Sequence, residues 1–367
     1  MIPLCIPETR GNEWKYVKEC IDTNWVSSVG SYVDLFEEKF AEYVKAEKAV
    51  VTMNGTAALQ LALITLGIGE KDEVIVPSMT FISPVNTIKY VGAVPVFCDV
   101  CRDTFVMDAE KIEELITPKT KAIIPVHIYG HPVDMDKVMK IAEKYNLYVI
   151  EDATEALGST YKGKMAGTIG HIGTYSFNGN KLITTGAGGM LVSDNLEYGK
   201  RAKYLSNQTK TILDNKGCYH EEVGYNFRMP NLLAAFGAAQ LENVEEYLKT
   251  KRENAAYYNQ LLKGVKGITI SSEKECVKNC YWLYSVLVED DYGISRDELI
   301  AKFEQEEIQT RPFFMPVHEM PPYKECKHGD MSVTKEICSR GINLPSSVSL
   351  TKKQIEAVCN VIKKYSK

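Results

Sequence analysis

No apolar run in this chain of 367 residues approaches the roughly 18 residues that a membrane-crossing helix needs. The start, MIPLCIPETRGNEW, lacks the basic n-region and the long apolar h-region of a secretory signal. Positive charge is not in excess: 43 Lys and Arg stand against 48 Asp and Glu, a net charge of -5. No basic stripe is visible, so there is no electrostatic footprint for nucleic acid. Internal repeats, low-complexity tracts and disordered linkers are also missing. These absences predict a cytoplasmic globular protein that works away from membranes and nucleic acids.

Two nucleotide-binding signatures are absent as well. No GxxxxGK[ST] occurs, because Lys181 is followed by Leu182, and no GxGxxG opens a helix after a strand; the GIG at 67–69 follows a helix instead. The ten cysteines include a CxxC (Cys98, Cys101) and a CxxxC (Cys276, Cys280). A structural zinc site wants two such pairs close together, and these lie far apart in sequence. Cys98 ends an apolar strand, where free cysteine packs as a small hydrophobe, so scattered reduced thiols are expected. His127 and His131, in PVHIYGHP, flank a strand end and its turn rather than one helix face. They read as structural, and no metal is expected.

What is present is an ordinary globular composition, 45% hydrophobic and 25% charged. The length allows one large domain and a smaller one. Short β-branched runs at 49–54, 73–78, 95–100, 122–130, 147–152, 174–178 and 188–193 alternate with helical stretches such as TAALQLALITLG and DMDKVMKIAEKYN. The earlier runs are nearly continuous in apolar residues, as strands covered on both faces are. The alternation predicts an α/β layered fold with a mostly parallel sheet. After Met190 the pattern changes. NLLAAFGAAQLENVEEYLKTKRENAAYYNQLLKGV reads as one long helical region bridging into a smaller domain. That domain holds WLYSVLVED, a helix near SRDELIAKFEQEEI and a final helix from TKKQIEAVCNVIKKY. Residues 1–240 are expected to form the large domain and 241–367 the small one, with the N-terminal segment packing against the small domain.

Ligands of α/β sheets gather at the carboxyl ends of the strands. The unusual polar residues fall there: Asn54-Gly55-Thr56, Thr80-Phe81, Asp152, Glu155 and the stretch from Ser176 to Lys181. The helix start at Gly55 and Thr56 offers free N–H groups to a phosphate, although an ordinary Thr cap fits the same residues. Asp152 follows a buried strand, where a carboxylate is costly unless it meets a cation or several donors. It is either a helix cap or ion-pair member, or the partner of a protonated ring nitrogen. Lys181 is either a surface loop residue or an amine brought out of water to form a Schiff base. Together with Phe81 as a stacking face, these parts fit pyridoxal 5'-phosphate. The glycines of 186–189 read as a tight turn and take no phosphate.

With NGTAAL, IEDATEALGS, SFNGNKLITTGAGGM and GYNFRM in this order, the chain resembles the DegT/DnrJ/EryC1/StrS sugar aminotransferases, which are pyridoxal-phosphate-dependent proteins of fold type I. The resemblance runs from NEWKYVKECIDTNWVSSVGSYVDLFE to GINLPSSVSL. It implies a mostly parallel seven-stranded sheet with helices on both faces, plus a smaller C-terminal α+β domain. Lys181 is then the Schiff-base lysine and proton shuttle, and Asp152 the partner of the pyridine nitrogen. Glu155 lies near the 3-hydroxyl, Gly55, Thr56 and Ser176 hold the phosphate, and Phe81 stacks on the ring. Asn226 is implied to reach the phosphate of a neighbouring subunit, which makes a homodimer with shared active sites. Most members carry Gln or His where this chain has Glu155; a subset carries Glu. The 3-dehydratases of the family carry His where this chain has Lys181, so the resemblance implies transamination.

It further implies L-glutamate as donor, pyridoxamine 5'-phosphate as the intermediate cofactor form, and the C4 keto group of a nucleotide-linked 4-keto-6-deoxyhexose as acceptor, for cell-surface glycans. NEWKYVKECIDTNWVSSVG, PVHIYGHPVDMD and GISRDELI are similar to enzymes that aminate UDP-linked 2-acetamido-4-keto sugars. TRPFFMPVHEMPPY at 310–323 is similar to enzymes that make GDP-perosamine. The UDP-linked acceptor is the favoured expectation and the GDP-linked one the alternative. A 3-dehydratase, or a non-catalytic regulatory descendant, is disfavoured by Lys181 and Asp152. Trp25, Ser28, Arg228 and His318 are the substrate-contact candidates, with ordinary packing as the rival account of Trp25 and His318.

Overall fold

The computed structural model describes residues 1–213 and 217–367. Its main sheet uses one strand from each of the seven apolar runs: β1 (Lys48–Thr52), β2 (Glu73–Pro77), β3 (Val94–Cys98), β4 (Thr120–Ile123), β5 (Tyr148–Asp152), β6 (Ile172–Ser176) and β7 (Gly189–Ser193). Their order is β1-β7-β6-β5-β4-β2-β3. The neighbours from β3 across to β6 pair in parallel, while β7 runs antiparallel to both β6 and β1. The expected mostly parallel sheet therefore forms. Its strands are buried along nearly their whole length, which is why they read as apolar runs rather than as alternations.

One run yields less strand than its apolar length suggests. In the 122–130 run the continuous strand stops at Ile123 because Pro125 has no N–H to give to the ladder, although Val126 still bridges Asp152. The Pro125 carbonyl accepts the Asp152 N–H at 2.9 Å, and the His127 N–H donates to the Asp152 carbonyl at 3.0 Å. The chain then turns through a short 3₁₀ helix, Ile128–Gly130. This exit ties the segment after β4 to the carboxyl end of β5, where Asp152 sits.

A second, antiparallel sheet contains β8 (Ile268–Ile270), β9 (Tyr284–Val288), β10 (Arg311–Pro312) and β11 (Gly341–Leu344), in the order β8-β9-β11-β10. It has a separate apolar core, with Tyr258, Leu262, Leu299, Phe303, Val358 and Ile362 among its buried side chains. Helices Arg296–Gln305 and Lys352–Tyr365 supply part of it, each opened by a capping box, Ser295 with Glu298 and Thr351 with Gln354.

The long helical region is two helices rather than one, Asn231–Leu241 and Val244–Leu262. Asn243 leaves helical geometry (φ -109°, ψ 4°). Glu242 is held sideways by the Tyr16 hydroxyl at 2.5 Å and Asn12 Nδ2 at 2.7 Å. The second helix still bridges the two cores: Tyr247 and Leu248 are buried in the first, Tyr258 and Leu262 in the second. The N-terminal segment docks on the second unit, with Ile2 bridging Ile308 and the Leu4 carbonyl accepting the Ser346 N–H at 2.7 Å. Among the described residues no helix is long and apolar enough to cross a membrane.

Candidate active site

The carboxyl ends of β1, β5 and β6 open into a cavity of about 270 Å³. Gly55, Thr56, Phe81, Asp152, Glu155, Ser176 and Lys181 all line it. Lys181 is here because its loop is tethered. The loop turns back on itself through Lys181 N–H to the Asn178 carbonyl, and the Asn180 carbonyl accepts from the Trp282 indole N–H at 2.7 Å and from Cys5 Sγ at 3.2 Å. The lysine side chain is only 13% exposed. Its Nζ lies 3.6 Å from Glu155 Oε1 and 3.8 Å from the centroid of the Trp282 ring. A cation between a carboxylate and an indole face is held in place and partly shielded from water.

Asp152 ends β5, fully inside the protein, and burial pushes its carboxyl up from its ordinary value. Its Oδ1 accepts the Thr154 N–H at 3.0 Å, yet no salt bridge reaches it among the described residues. A buried carboxylate without a cation is costly. The missing partner is what a protonated ring nitrogen would supply. Burial likewise raises Glu155, with nearby Lys181 and the Tyr129 N–H, 2.8 Å from Oε2, acting in the opposite direction. Tyr129 adopts a left-handed conformation (φ 54°) that a bulky residue rarely takes. Its ring is packed 5.0 Å from Phe313 and 5.8 Å from Phe314, which holds the backbone amide toward Glu155.

At the opposite pole, the helix Gly55–Thr65 begins at the cavity wall. Asn54 caps it by accepting the Ala57 N–H at 2.8 Å, which leaves other first-turn N–H groups without helical partners. A Cβ on Gly55 would lie 3.0 Å from Ser176 Cβ and 3.1 Å from Thr154 Cγ2, filling the space beside the Ser176 hydroxyl. The Thr56 and Ser83 hydroxyls meet at 2.9 Å on the same wall. Phe81 is 53% exposed and turned to the cavity, 5.8 Å from the Phe314 ring. An anion pole, an apolar face, a cation-seeking carboxylate and a shielded amine fit pyridoxal 5'-phosphate.

The floor is braced from behind. His127 Nδ1 accepts the Val133 N–H at 3.1 Å, so its Nε2–H is free to donate to Glu151 at 2.9 Å, and both side chains are wholly buried. Glu151 also accepts the N–H groups of Gly167, Ile169 and Gly170. His131 Nδ1 donates to the Pro132 carbonyl at 2.8 Å. Among the described residues no three His, Cys, Asp or Glu side chains are arranged to hold a metal ion, and all ten cysteines are free.

The remaining expected residues lie outside the cavity of this chain. Asn226 is exposed, bridged to Asn207. Ser28 and Arg228 share a separate depression of about 190 Å³. Trp25 is 55% exposed, and its carbonyl accepts from Asn231 Nδ2 at 2.8 Å. His318 does not face the cavity: it is buried, with Nδ1 2.7 Å from the Ser78 hydroxyl. Among the cavity residues that sequence reasoning did not single out are Trp282, Arg311 and Phe314. Arg311 and Phe314 belong to the TRPFF stretch, whose dense aromatic and basic character was the available signal; Trp282 merged with the apolar run of β9.

Comparison with known proteins agrees with this geometry. Residues 7–363 match the DegT/DnrJ/EryC1/StrS aminotransferase family. The chain is 44% identical to a GDP-perosamine synthase of Escherichia coli O157:H7, over 99% of this chain and 98% of that protein. A GDP-perosamine synthase of Vibrio cholerae is 41% identical over 100% and 99%. Among solved structures, a putative sugar aminotransferase from Streptococcus pneumoniae in its PMP form superposes with a TM-score of 0.94 at 26% identity, covering 100% of this chain and 99% of that one. The cofactor is pyridoxal 5'-phosphate, and the protein is a sugar aminotransferase. The chain belongs to the DegT/DnrJ/EryC1/StrS aminotransferase family.

Proposed function

We propose that the chain transfers the amino group of L-glutamate to the C4 keto group of GDP-4-keto-6-deoxymannose, making GDP-perosamine in the cytoplasm for a cell-surface glycan. The observation that carries this reading is the near full-length similarity to relatives named GDP-perosamine synthase. Those relatives support the GDP-linked alternative better than the favoured expectation of a UDP-linked 2-acetamido acceptor. The segments that suggested it are short, whereas the GDP-perosamine similarity spans the chain. A spore coat polysaccharide biosynthesis protein of Bacillus subtilis, 34% identical, supports the glycan destination.

Bound pyridoxal phosphate supplies the electron sink that makes the bonds at the amino-bearing carbon labile. The first-turn N–H groups at Gly55 and Thr56 and the Ser176 hydroxyl would hold its phosphate, Asp152 its ring nitrogen and Phe81 its face. Lys181 Nζ would take a proton from the donor's α-carbon in the first half-transfer and deliver one to the sugar's C4 in the second, with Glu155 3.6 Å away holding the amine in place. Trp282 covers the amine on one side and keeps water from it.

The same reading includes a homodimer. Trp25, Val26 and Val29, and Ile212, Tyr219 and Val223 on and beside the exposed antiparallel strand pair Lys210–Leu213 and Gly217–His220, expose apolar surface that a second copy would cover. Asn226 would then serve the partner's phosphate site. The two cores support a domain division near residue 240.

The test follows the visible absorbance of the bound cofactor. Glutamate should convert the enzyme to its aminated form. After removal of the keto acid, GDP-4-keto-6-deoxymannose should restore the original band and the UDP-2-acetamido-4-keto sugar should not. Restoration by the UDP sugar alone would return the acceptor to the UDP-linked class.

A further inference from the structure

Lys251 is a second lysine withdrawn from water. It lies in the middle of the helix Val244–Leu262, between the residues buried in the first core and those buried in the second, and is 4% exposed. No salt bridge reaches its side chain among the described residues, and burial pushes its amine down from its ordinary value. A buried cation is costly unless its donors are used. Here Nζ donates to the Trp282 carbonyl at 2.8 Å and to the Ser346 carbonyl.

Those two carbonyls sit at neighbouring strand ends. Trp282 precedes β9 and Ser346 follows β11, and the Tyr284 N–H crosses between them to the Ser346 hydroxyl at 2.7 Å. The next helix residue holds the same segment further back, with Arg252 Nε donating to the Asn279 carbonyl at 3.0 Å. Gly130 presses on it from the other side, where a Cβ would lie 3.0 Å from the Trp282 nitrogen. From this fixed backbone the Trp282 side chain extends to the Lys181 loop. Its N–H meets the Asn180 carbonyl, and its ring centroid lies 3.8 Å from Lys181 Nζ. One residue separates the buried amine from the reacting one.

We infer that Lys251 is a positioning residue for the reaction, clamping the Trp282 and Ser346 carbonyls so that the indole is seated against the Lys181 amine. This rests on the aminotransferase reading and adds to it the residue that fixes one wall around that amine. The rival account is that Lys251 only stabilises the junction of the two cores. Tyr258 separates the two accounts. It belongs to the same helix, and its hydroxyl donates to the Pro345 carbonyl at 3.0 Å, beside Ser346, but it makes no hydrogen bond to Trp282.

The experiment compares wild type with Lys251→Met and Tyr258→Phe by two readouts. The first is fluorine NMR of protein labelled with 5-fluorotryptophan. The chain has three tryptophans; Trp14 is 77% and Trp25 55% exposed, against 3% for Trp282. Trp282→Phe identifies the Trp282 resonance by its loss. The second mixes cofactor-stripped protein with pyridoxal 5'-phosphate and follows its capture by Lys181 through the absorbance change. Lys251→Met should shift the Trp282 resonance and raise its solvent isotope effect while the other two stay in place. The limiting capture rate should fall on the order of 10- to 100-fold, as a reacting group displaced by about 1 Å does. The cofactor concentration for half-maximal capture should stay within about threefold, since the phosphate pole is untouched. Tyr258→Phe should lower the melting temperature and leave both readouts at wild-type values. Capture at the wild-type rate in Lys251→Met, or an unmoved Trp282 resonance, would overturn the inference. Equal effects from Tyr258→Phe at an equal loss of melting temperature would overturn it too, in favour of the structural account. Should Lys251→Met fail to fold, Lys251→Gln decides, because a shorter, uncharged side chain must still move both readouts in the same direction. If L-glutamate leaves the wild-type spectrum unchanged, the donor proposal fails while both readouts still judge Lys251.

Discussion

Lys181 and Asp152 illustrate how one side chain's surroundings decide its chemistry. Lys181→Ala removes the amine that moves the proton, and both half-transfers should fall by at least about 10²–10⁴-fold, with the thermal transition little changed. Rapid-mixing absorbance would show it; a half-transfer retained at wild-type rate would remove Lys181 from the mechanism. Asp152→Asn keeps the shape but removes the charge. Cofactor affinity should drop by one to two orders of magnitude, about 1.5–3 kcal/mol for a charged hydrogen bond, as equilibrium dialysis would measure. Both residues were legible in sequence because each follows a buried strand or its turn, where polar side chains are conspicuous. Trp282 and Arg311 were not, because the docking of the second sheet brings them to the cavity, and no local pattern encodes that docking.

At the scale of elements, the phosphate pole depends on how closely β7 approaches the start of helix Gly55–Thr65. The glycines of 186–189 were expected to make a tight turn, and Gly186 does so with φ 81°. Gly189 has another task. A Cβ there would lie 2.5 Å from the Asn54 carbonyl carbon and 2.7 Å from the Gly55 nitrogen, backbone that cannot swing aside. Gly189→Ala should therefore push the helix start off the sheet. It should lower both the melting temperature and cofactor affinity more than Asn54→Ala, which loses a cap of about 1 kcal/mol. Melting curves with and without cofactor would rank the two variants, and the reverse order would show that the close approach is not what shapes the pole. The element pattern itself was readable in the seven runs, whose apolar continuity follows from burial on both faces. The exceptions arose where one residue overrides a periodic pattern, Pro125 by lacking a donor and Asn243 by leaving helical geometry.

For the whole molecule, the site is a source of instability that the cofactor offsets. In the cofactor-free protein, burial raises both Asp152 and Glu155. The folded state then binds their protons more tightly than the unfolded chain does. Their contribution to stability is fully present below the ordinary carboxylate range and is lost as the pH rises through the raised values. A ring-nitrogen cation opposite Asp152 removes the cause for that residue. The melting-temperature gap between loaded and stripped protein should therefore widen from about pH 5 to about pH 8, on top of the pH-independent mass-action gain of about 2.7 kcal/mol at a hundred times Kd. Asp152→Asn has no charge to bury, so its stripped form should lose less stability over the same interval and its gap should widen less. Paired thermal scans of wild type and variant, stripped and loaded, supply the comparison. A wild-type gap that stays constant or narrows toward about pH 8 would mean that Asp152 already meets a sufficient partner in the empty site. The cofactor's hold on the fold would then come from the phosphate pole and Lys181 instead.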